Sequence, residues 1–563
     1  MKKITCKSVK YAIIALHILL TLFFSKIVLR NIGYSVSGTK IVNNIVSVKT
    51  ETVIAFIFSE LFSILLVFCI WNLVFFLIQN FKRDYIPFII IYVCGVLFLF
   101  LIWPEGFTNR RMHMEDNLTT FATAIRLMPD YWHSFYSSIV YAACMFVLPF
   151  RFSISFFQWS FFFFSFSYIF FKAGKYSKKK RYLLFAVFCF PNALEFITYS
   201  HRVCMYMIAI SIYIAIIVFD MLEKRKRTIP ELIGIAFLAA FLSIWRTEGI
   251  IVGLLSYVAY LLFIFGHDYK REIKQFVIYA AFFVLLIVPQ KIGDIKYYGD
   301  DYKLMNSFDT LQWIFNSDKA QLSYEGAEDD LRKIEAVVPI RLIKYYSTEG
   351  YRSYNVNVRG NSDINQSAVD KVTAEEYSRA YHNIIKHNLL LTAEIKTNLL
   401  LQTFGLKKDS DLLKVNEERP ALEEWSYVGW DVGYGEYYTD FMMKWRYVPF
   451  KFQFAERVYR FAKEYFDFTL ETGIYGLTAL IMVLANIYIS VRGIVELITR
   501  KKGFRATLGI VALINLMSFG AISIVMPAPA YLYFFPTFCI MTLMLYLYIV
   551  CRQKSGKRML DKD

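Results

Sequence analysis

The sequence predicts an all-α polytopic membrane protein, with about 12 transmembrane helices and an extracytoplasmic domain of mixed, mainly helical structure. Three observations carry that expectation. The 563-residue chain is 57% hydrophobic, where soluble domains run near about 45–50%. Many of its apolar stretches reach the roughly 17–25 residues that cross a bilayer. No series of short alternating strands appears, which argues against a β-barrel.

Positive clusters mark the cytoplasmic side of such a chain. They fall at Lys2/Lys3/Lys7/Lys10, Lys82/Arg83, Lys172 to Arg181, Glu223 to Arg227, Lys270 to Lys274, Arg492 to Arg505 and Arg552 to Arg558. Between them lie candidate spans at 11–29, 52–79, 86–103, 152–171, 182–198, 203–222, 232–245, 249–265, 275–290, 473–491, 506–526 and 532–551. That arrangement puts both termini inside. The first span, Tyr11 to Leu29, follows Met1-Lys2-Lys3 and looks like a signal peptide in outline. It is long and lacks a small-residue cleavage site, so it reads as an anchor helix. One apolar segment, His133 to Phe150, is left over. Counting it as a crossing puts Lys178-Lys179-Lys180-Arg181 outside, against the charge rule. It is expected on the outer face as an interfacial or re-entrant helix, with Tyr131, Trp132, Tyr136 and Tyr141 at headgroup level.

The chain then divides into membrane helices over 1–103, a first large outer loop over 104–151, and membrane helices over 152–290. An extracytoplasmic soluble block follows over 291–470, then C-terminal helices with a basic tail over 471–563. The net charge of +17 supports this division. Between Lys291 and Asp467 there are 24 Lys/Arg against 28 Asp/Glu, leaving 39 against 18 elsewhere. The basic excess belongs to the membrane part. It fits the positive-inside rule and anionic lipid contact, not nucleic-acid binding. The eight cysteines include none between Met205 and Phe538, so the polar block has no disulfides. No Cys/His spacing typical of a metal site appears. Within the block, Ala374 to Leu391 has a helical pattern and Asn355 to Val358 an extended one.

The candidate chemistry gathers in the outer segments. Glu115 and Asp116 follow the apolar run Ile86 to Trp103, at a lipid–water boundary where carboxylates ionise. Asp116 has two readings. It is an N-cap for the helix-like stretch Asn117 to Arg126, or a general base taking a proton from an acceptor hydroxyl. Glu115 assists it or pairs with Arg110 or Arg111. Arg246 and Glu248 interrupt an apolar stretch. They are solvated at a turn, or pair with each other, or Arg246 holds a phosphate. His201 and Arg202 stand in another outer turn, as structural residues or as further phosphate ligands. Trp430 and Tyr434, near Asp431 and Glu436, suit sugar stacking, although an aromatic domain core is the plainer reading. Asn117-Leu118-Thr119 matches the short N-glycosylation pattern.

This layout resembles the GT-C superfamily of integral-membrane glycosyltransferases, in the mannosyltransferase and arabinosyltransferase style. The stretch from Trp103-Pro104-Glu105-Gly106 through Glu115-Asp116 to Tyr131-Trp132-His133 is similar to the first outer loop of bacterial members. Trp245-Arg246-Thr247-Glu248-Gly249 looks like their Arg-x-x-Gly turn. Tyr531-Leu532-Tyr533-Phe534-Phe535-Pro536 looks like their aromatic-Pro motif, which adds Tyr531 to the acceptor side. Relatives often carry Asp-Glu in place of Glu115-Asp116, which leaves open which carboxylate is the base. They also show Lys-Asp where His201-Arg202 stands, and Arg-Tyr near Tyr531.

The resemblance implies inverting sugar transfer from a polyprenyl-phosphate-linked donor to an acceptor on the outer face, whether glycan, lipid or protein. Some members use a divalent cation and others none; no ligand set in this chain decides it. Other readings are a polymerase of lipid-linked polysaccharide, a flippase or transporter, and a non-catalytic scaffold. A transporter should show paired broken helices in two halves, and no such pairing is visible.

Overall fold

The computed structural model describes residues 2–30, 39–42, 45–48, 50–79, 85–102, 120, 123–124, 127, 134–149, 153–187, 189–190, 202–225, 227–266, 268–297, 307, 310–337, 339–340, 374–404, 406, 461, 464–465, 468–469, 472–499, 503–526 and 531–560. In chain order its helices are α1 (Lys2–Arg30), α2 (Thr50–Gln79), α3 (Ile86–Ile102), α4 (Phe135–Val147), α5 (Ser153–Gly174) and the short α6 (Leu183–Val187). Then come α7 (Arg202–Glu223), α8 (Ile229–Trp245), α9 (Gly249–Phe265) and α10 (Tyr269–Tyr297). The polar block contributes α11 (Ala327–Val337), α12 (Ala374–His387) and α13 (Leu389–Thr403), and the chain closes with α14 (Ile474–Ile498), α15 (Phe504–Val525) and α16 (Phe535–Leu560).

Seven helices among the described residues are long and apolar enough to cross a membrane: Ser8–Lys26 of α1, α2, α7, Tyr269–Ile295 of α10, α14, α15 and Phe535–Arg552 of α16. Ile86–Leu97 of α3, and α4, α8 and α9, are apolar but shorter. The protein is therefore a helical membrane protein. One expected span, 182–198, shows only the single helical turn of α6 and a turn at 189–190 among the described residues.

Among the described residues the fold is helical as expected, apart from one small antiparallel hairpin. β1 (Thr39–Val42) pairs with β2 (Ile45–Val48), with Val42 opposite Ile45. The sequence carries a signal for it: β-branched pairs flank Asn43-Asn44, a two-residue link of a hairpin-favouring type.

Helix α7 forms the centre. It is apolar all round, and from Val203 to Met221 only Ile216 escapes full burial. A helix without a polar face belongs inside a bundle. Helices α5, α8, α9, α15 and α16 surround it. The periphery is built in the opposite sense. On α2 the small stripe Ala55, Ser59 and Ser63 with Val67 is buried, while Ile57, Leu61, Leu65 and Phe68 are exposed. Small residues turned inward let α1 and α4 approach, and large apolar ones turned outward meet lipid.

Close glycine contacts fix two helix hairpins. A Cβ on Gly249 would lie 2.2 Å from the Leu242 carbonyl oxygen, and one on Gly253 would lie 2.4 Å from Ser243 Oγ. Helices α8 and α9 thus pack at backbone distance. Helices α14 and α15 do the same, since a Cβ on Gly493 would lie 2.4 Å from Gly509 Cα.

The α7–α8 turn holds an ionic clasp. The fully buried Asp220 carboxylate accepts from Arg227 Nε at 2.7 Å and Nη2 at 2.9 Å. Arg227 Nη1 donates to Glu231 at 2.8 Å. Glu231 also completes a capping box with Thr228 at the start of α8. Beside it, Lys172 donates to Glu223 at 2.8 Å, tying α5 to the end of α7.

Helix α4 corrects one part of an expectation. It was expected as an interfacial or re-entrant helix, with its tyrosines at headgroup level. Protein surrounds it, and all of its residues but Val140 are buried, so Tyr136 and Tyr141 do not sit among headgroups. Its start is fixed by α10. The Phe135 amide donates to Gln290 Oε1 at 2.7 Å, and the Tyr136 hydroxyl donates to the Leu286 carbonyl. Pro289 lies inside α10 at that level, where a proline loosens the helical ladder and leaves carbonyls seeking donors.

The polar block packs a second core against one end of α14–α16. Phe404, just past α13, meets Phe534 and Phe538 at 5.4 Å between ring centroids. Lys396 of α13 donates to the Met526 carbonyl at 2.8 Å, closing the end of α15. The expected helix over 374–391 exists but breaks at Asn388. That side chain turns to Gln321, accepting from its amide at 2.7 Å and donating to its carbonyl at 3.0 Å. The extended segment 355–358 lies outside the described residues.

Candidate functional site

Arg246 ends α8 in an extended backbone conformation. Its side chain is only 10% exposed. Its Nε contacts Glu248 Oε1, and its Nη1 is buried with no hydrogen-bond partner. The guanidinium carbon lies 6.0 Å from the Tyr206 ring centre. Burial opposes its charge, but Glu248 outweighs burial and raises the guanidinium above its ordinary value. Tyr206 and Tyr533 are within electrostatic reach of it. The pairing anticipated between Arg246 and Glu248 therefore forms, inside the protein and not at a solvated turn.

Neighbouring residues hold this arginine in place. Trp245 Nε1 donates to Ser137 Oγ of α4 at 3.1 Å. Its ring meets Tyr206 edge to face, at 5.9 Å and 82°. Gly249 is required beneath, because a Cβ there would lie 2.6 Å from the Tyr206 hydroxyl.

Arg202 opens α7, one helical turn before Tyr206, and is half-buried. Its charge acts on the Tyr141 hydroxyl. That hydroxyl is buried and has no hydrogen-bond partner. Tyr141 stands one turn along α4 from Ser137, so the two arginines flank the same stretch of α4. A positive charge at a helix N-terminus is disfavoured by the helix dipole, by about 0.3–1 kcal/mol at exposed sites. An anion bound there would reverse that sign.

The segment behind the acidic pair reaches the same wall. Thr123 Oγ1 and Ser138 Oγ are hydrogen-bonded at 2.7 Å, next to the Ser137 that holds Trp245. Thr120 is fully buried, and its carbonyl accepts from Thr123 Oγ1 at 3.0 Å. Arg110, Arg111, Glu115, Asp116, His201, Trp430 and Tyr434 lie outside the described residues. Tyr531 falls in the 3-10 turn Tyr531–Phe534, with its side chain outside them.

Tyr141, Tyr206, Ser137 and Trp245 were not singled out as site residues from sequence. Tyr206 and Ser137 showed there only as polar or aromatic residues within apolar stretches, Tyr141 as a headgroup-level aromatic, and Trp245 as the first residue of the Arg-x-x-Gly turn. Among the described residues no three His, Cys, Asp or Glu side chains gather as metal ligands. No family model, curated protein or solved structure matches this chain.

Proposed function

We propose that the chain is a GT-C-type membrane glycosyltransferase, moving a sugar from a polyprenyl-phosphate-linked donor to an acceptor on the outer face of the plasma membrane. The observation that carries this reading is the buried Arg246 guanidinium with one edge on Glu248 and Nη1 lacking a partner. Leaving such a donor unsatisfied costs about 1–3 kcal/mol or more. A phosphate oxygen would relieve that cost, and Arg202 supplies a second charge at the same end of the bundle.

In this proposal the acceptor hydroxyl oxygen attacks the anomeric carbon. The bond from that carbon to the donor phosphate breaks, and the phosphate leaves on Arg246 and Arg202, with His201, Arg110 and Arg111 as further ligands. Glu248 holds Arg246 in position. Asp116, or Glu115, takes the hydroxyl proton. Asp116 lies four positions before the anchored Thr120, a reach of at most about 14 Å. Trp430, Tyr434 and Tyr531 serve the acceptor. Twelve crossings, cytoplasmic termini and an outward-facing site complete the proposed topology.

The test is transfer by the purified full-length protein in liposomes, supplied with radiolabelled polyprenyl-phosphate sugars and cell-envelope acceptors. Asp116→Asn should lower the rate by about 10²–10⁴-fold. Arg246→Gln should lower it by a similar factor and weaken donor binding. Comparison of surface glycans in cells carrying Asp116→Asn, Glu115→Gln or a deletion gives the second readout. If the deletion alters glycans and both carboxylate variants leave them intact, the base assignment is wrong. If no labelled sugar moves and the deletion changes no glycan, the reading fails.

A further inference from the structure

Three arginines cluster at the end of α16 opposite the one near Arg246. Arg492 lies on α14, Arg505 in the first turn of α15 and Arg552 on α16. Each of two tyrosines precedes one of them by a helical turn: Tyr488 before Arg492 and Tyr548 before Arg552. Residues four apart share a helix face. The tyrosine rings meet edge to face across α14 and α16, at 6.0 Å and 85°. Phe504 stacks on Tyr548 at 5.8 Å and 28°. All three guanidinium charges act on the Tyr488 hydroxyl, and those of Arg505 and Arg552 act on Tyr548.

The fold brings these charges together despite their repulsion. A Cβ on Gly493 would lie 2.7 Å from the Arg505 carbonyl oxygen. The glycine crossing of α14 and α15 therefore sets the backbones of Arg492 and Arg505 side by side. Glu496, one turn beyond Arg492, is engaged elsewhere: its carboxylate accepts from the Ala506 amide and closes over Gly503 at the start of α15. Arg492 and Arg505 make no ion pair or hydrogen bond among the described residues. Tyr488 is exposed, and so are Leu484, Ile487, Val491 and Val495 around it. Large apolar side chains on an exposed helix face mark it as the lipid-facing side, so the corner opens toward the bilayer boundary and not into the protein.

We propose that this corner is a binding site for the headgroup phosphate of an anionic phospholipid, with Arg492, Arg505 and Arg552 as its ligands. The Tyr488–Tyr548 ring pair forms the wall at glycerol depth, where tyrosines favour the boundary between chains and headgroups. Guanidinium groups match phosphate oxygens in pairs. A lipid, not a free anion, is the occupant because the approach lies along an apolar helix face. The site is independent of the glycosyl-transfer reading.

The test uses full-length protein in phosphatidylcholine nanodiscs titrated with headgroup-labelled phosphatidylglycerol, read by energy transfer from tryptophan. Each arginine near the surface contributes about fivefold in affinity, so Arg492→Gln/Arg505→Gln/Arg552→Gln should lose about a hundredfold. Removing three charges elsewhere, in Lys178→Gln/Lys179→Gln/Lys274→Gln, should change affinity by less than about twofold. Millimolar glycerol phosphate should not compete. Equal loss in both triple variants would reduce the site to general charge and overturn the proposal. Competition by glycerol phosphate would assign the site to a soluble anion and overturn it equally. If the triple variant fails to fold, Arg492→Gln and Arg552→Gln singly should each lose about fivefold, and no loss in either refutes the site.

Discussion

Replacing Arg227 by methionine should destabilise the protein by about 3–5 kcal/mol, the usual cost of stranding one partner of a buried ion pair. The structure explains why the full penalty applies. The Asp220 carboxylate is 0% exposed, and both of its oxygens rest on the Arg227 fork. Among the described residues the other cations within electrostatic reach of Asp220 are already engaged: Arg225 donates to Glu231 at 3.0 Å and Lys172 to Glu223 at 2.8 Å. The other partner of Arg227, Glu231, is one-third exposed and keeps its bond from the Thr228 amide, so its loss adds little. Thermal unfolding in detergent, followed by tryptophan fluorescence, is the assay. For a chain of this length the shift is about 3–4 °C. The double variant Asp220→Asn/Arg227→Met removes the stranded charge and should recover at least about half of the loss, a coupling expected for directly touching groups. An Arg227→Met protein within about 1 kcal/mol of wild type, with no recovery in the double variant, would mean that water reaches Asp220. The clasp would then not belong to the interior.

Gly249→Ala places a Cβ against the Leu242 carbonyl and the Tyr206 hydroxyl. It should cost about 1–3 kcal/mol, measured by melting, and under the proposed function should lower transfer in the liposome assay. Trp245→Phe removes the bond to Ser137 and should cost about 1 kcal/mol; unchanged melting and transfer would show that the α4–α8 tie is idle. Gly509→Val cannot be relieved by a side-chain shift, because its neighbour at 2.4 Å is the Gly493 backbone. It should abolish a monodisperse peak in size-exclusion chromatography, whereas Gly520→Ala, with open space around it, should not. Lys396→Met frees the Met526 carbonyl and should speed hydrogen exchange in α13 without changing it in α7.

The helices were legible where local chemistry names them. Helix α9 runs from Gly249 to Phe265 as expected, because Gly249 opens it at a close approach and Gly266 closes it in the left-handed region at φ 59°. Helix α8 starts earlier than its apolar run because Thr228, Pro230 and Glu231 form an N-terminal signal that hydropathy ignores. Tertiary surroundings were not legible. Tyr136 and Tyr141 carry the aromatic signature of an interfacial helix. Burial by α1, α2, α5, α8 and α10 depends on residues distant in the chain. Arg227 read as part of a basic cluster and Asp220 fell inside the candidate span 203–222, since spacing alone does not reveal that the carboxylate faces inward onto the arginine. At the candidate site, Arg246 and Glu248 were visible as charges in an apolar stretch. Their aromatic partner Tyr206 stands 40 positions away, and nothing local links them.

The position of α7 bears on how the chain is assembled. One of its principal neighbours, α16, is made more than 300 residues later, so α7 meets lipid before it meets its final partners. Its apolar surface suits that wait; a bare carboxylate at Asp220 does not. The counter-ion is delivered with it, seven residues downstream in the same hairpin, before any distant helix has been synthesised. The Asp220–Arg227 pair thus acts first as a passport for insertion and only later as part of the interior. A ribosome-stalled chain ending soon after α8 should already protect Asp220 from carboxyl-directed labelling, and the same chain carrying Arg227→Met should not.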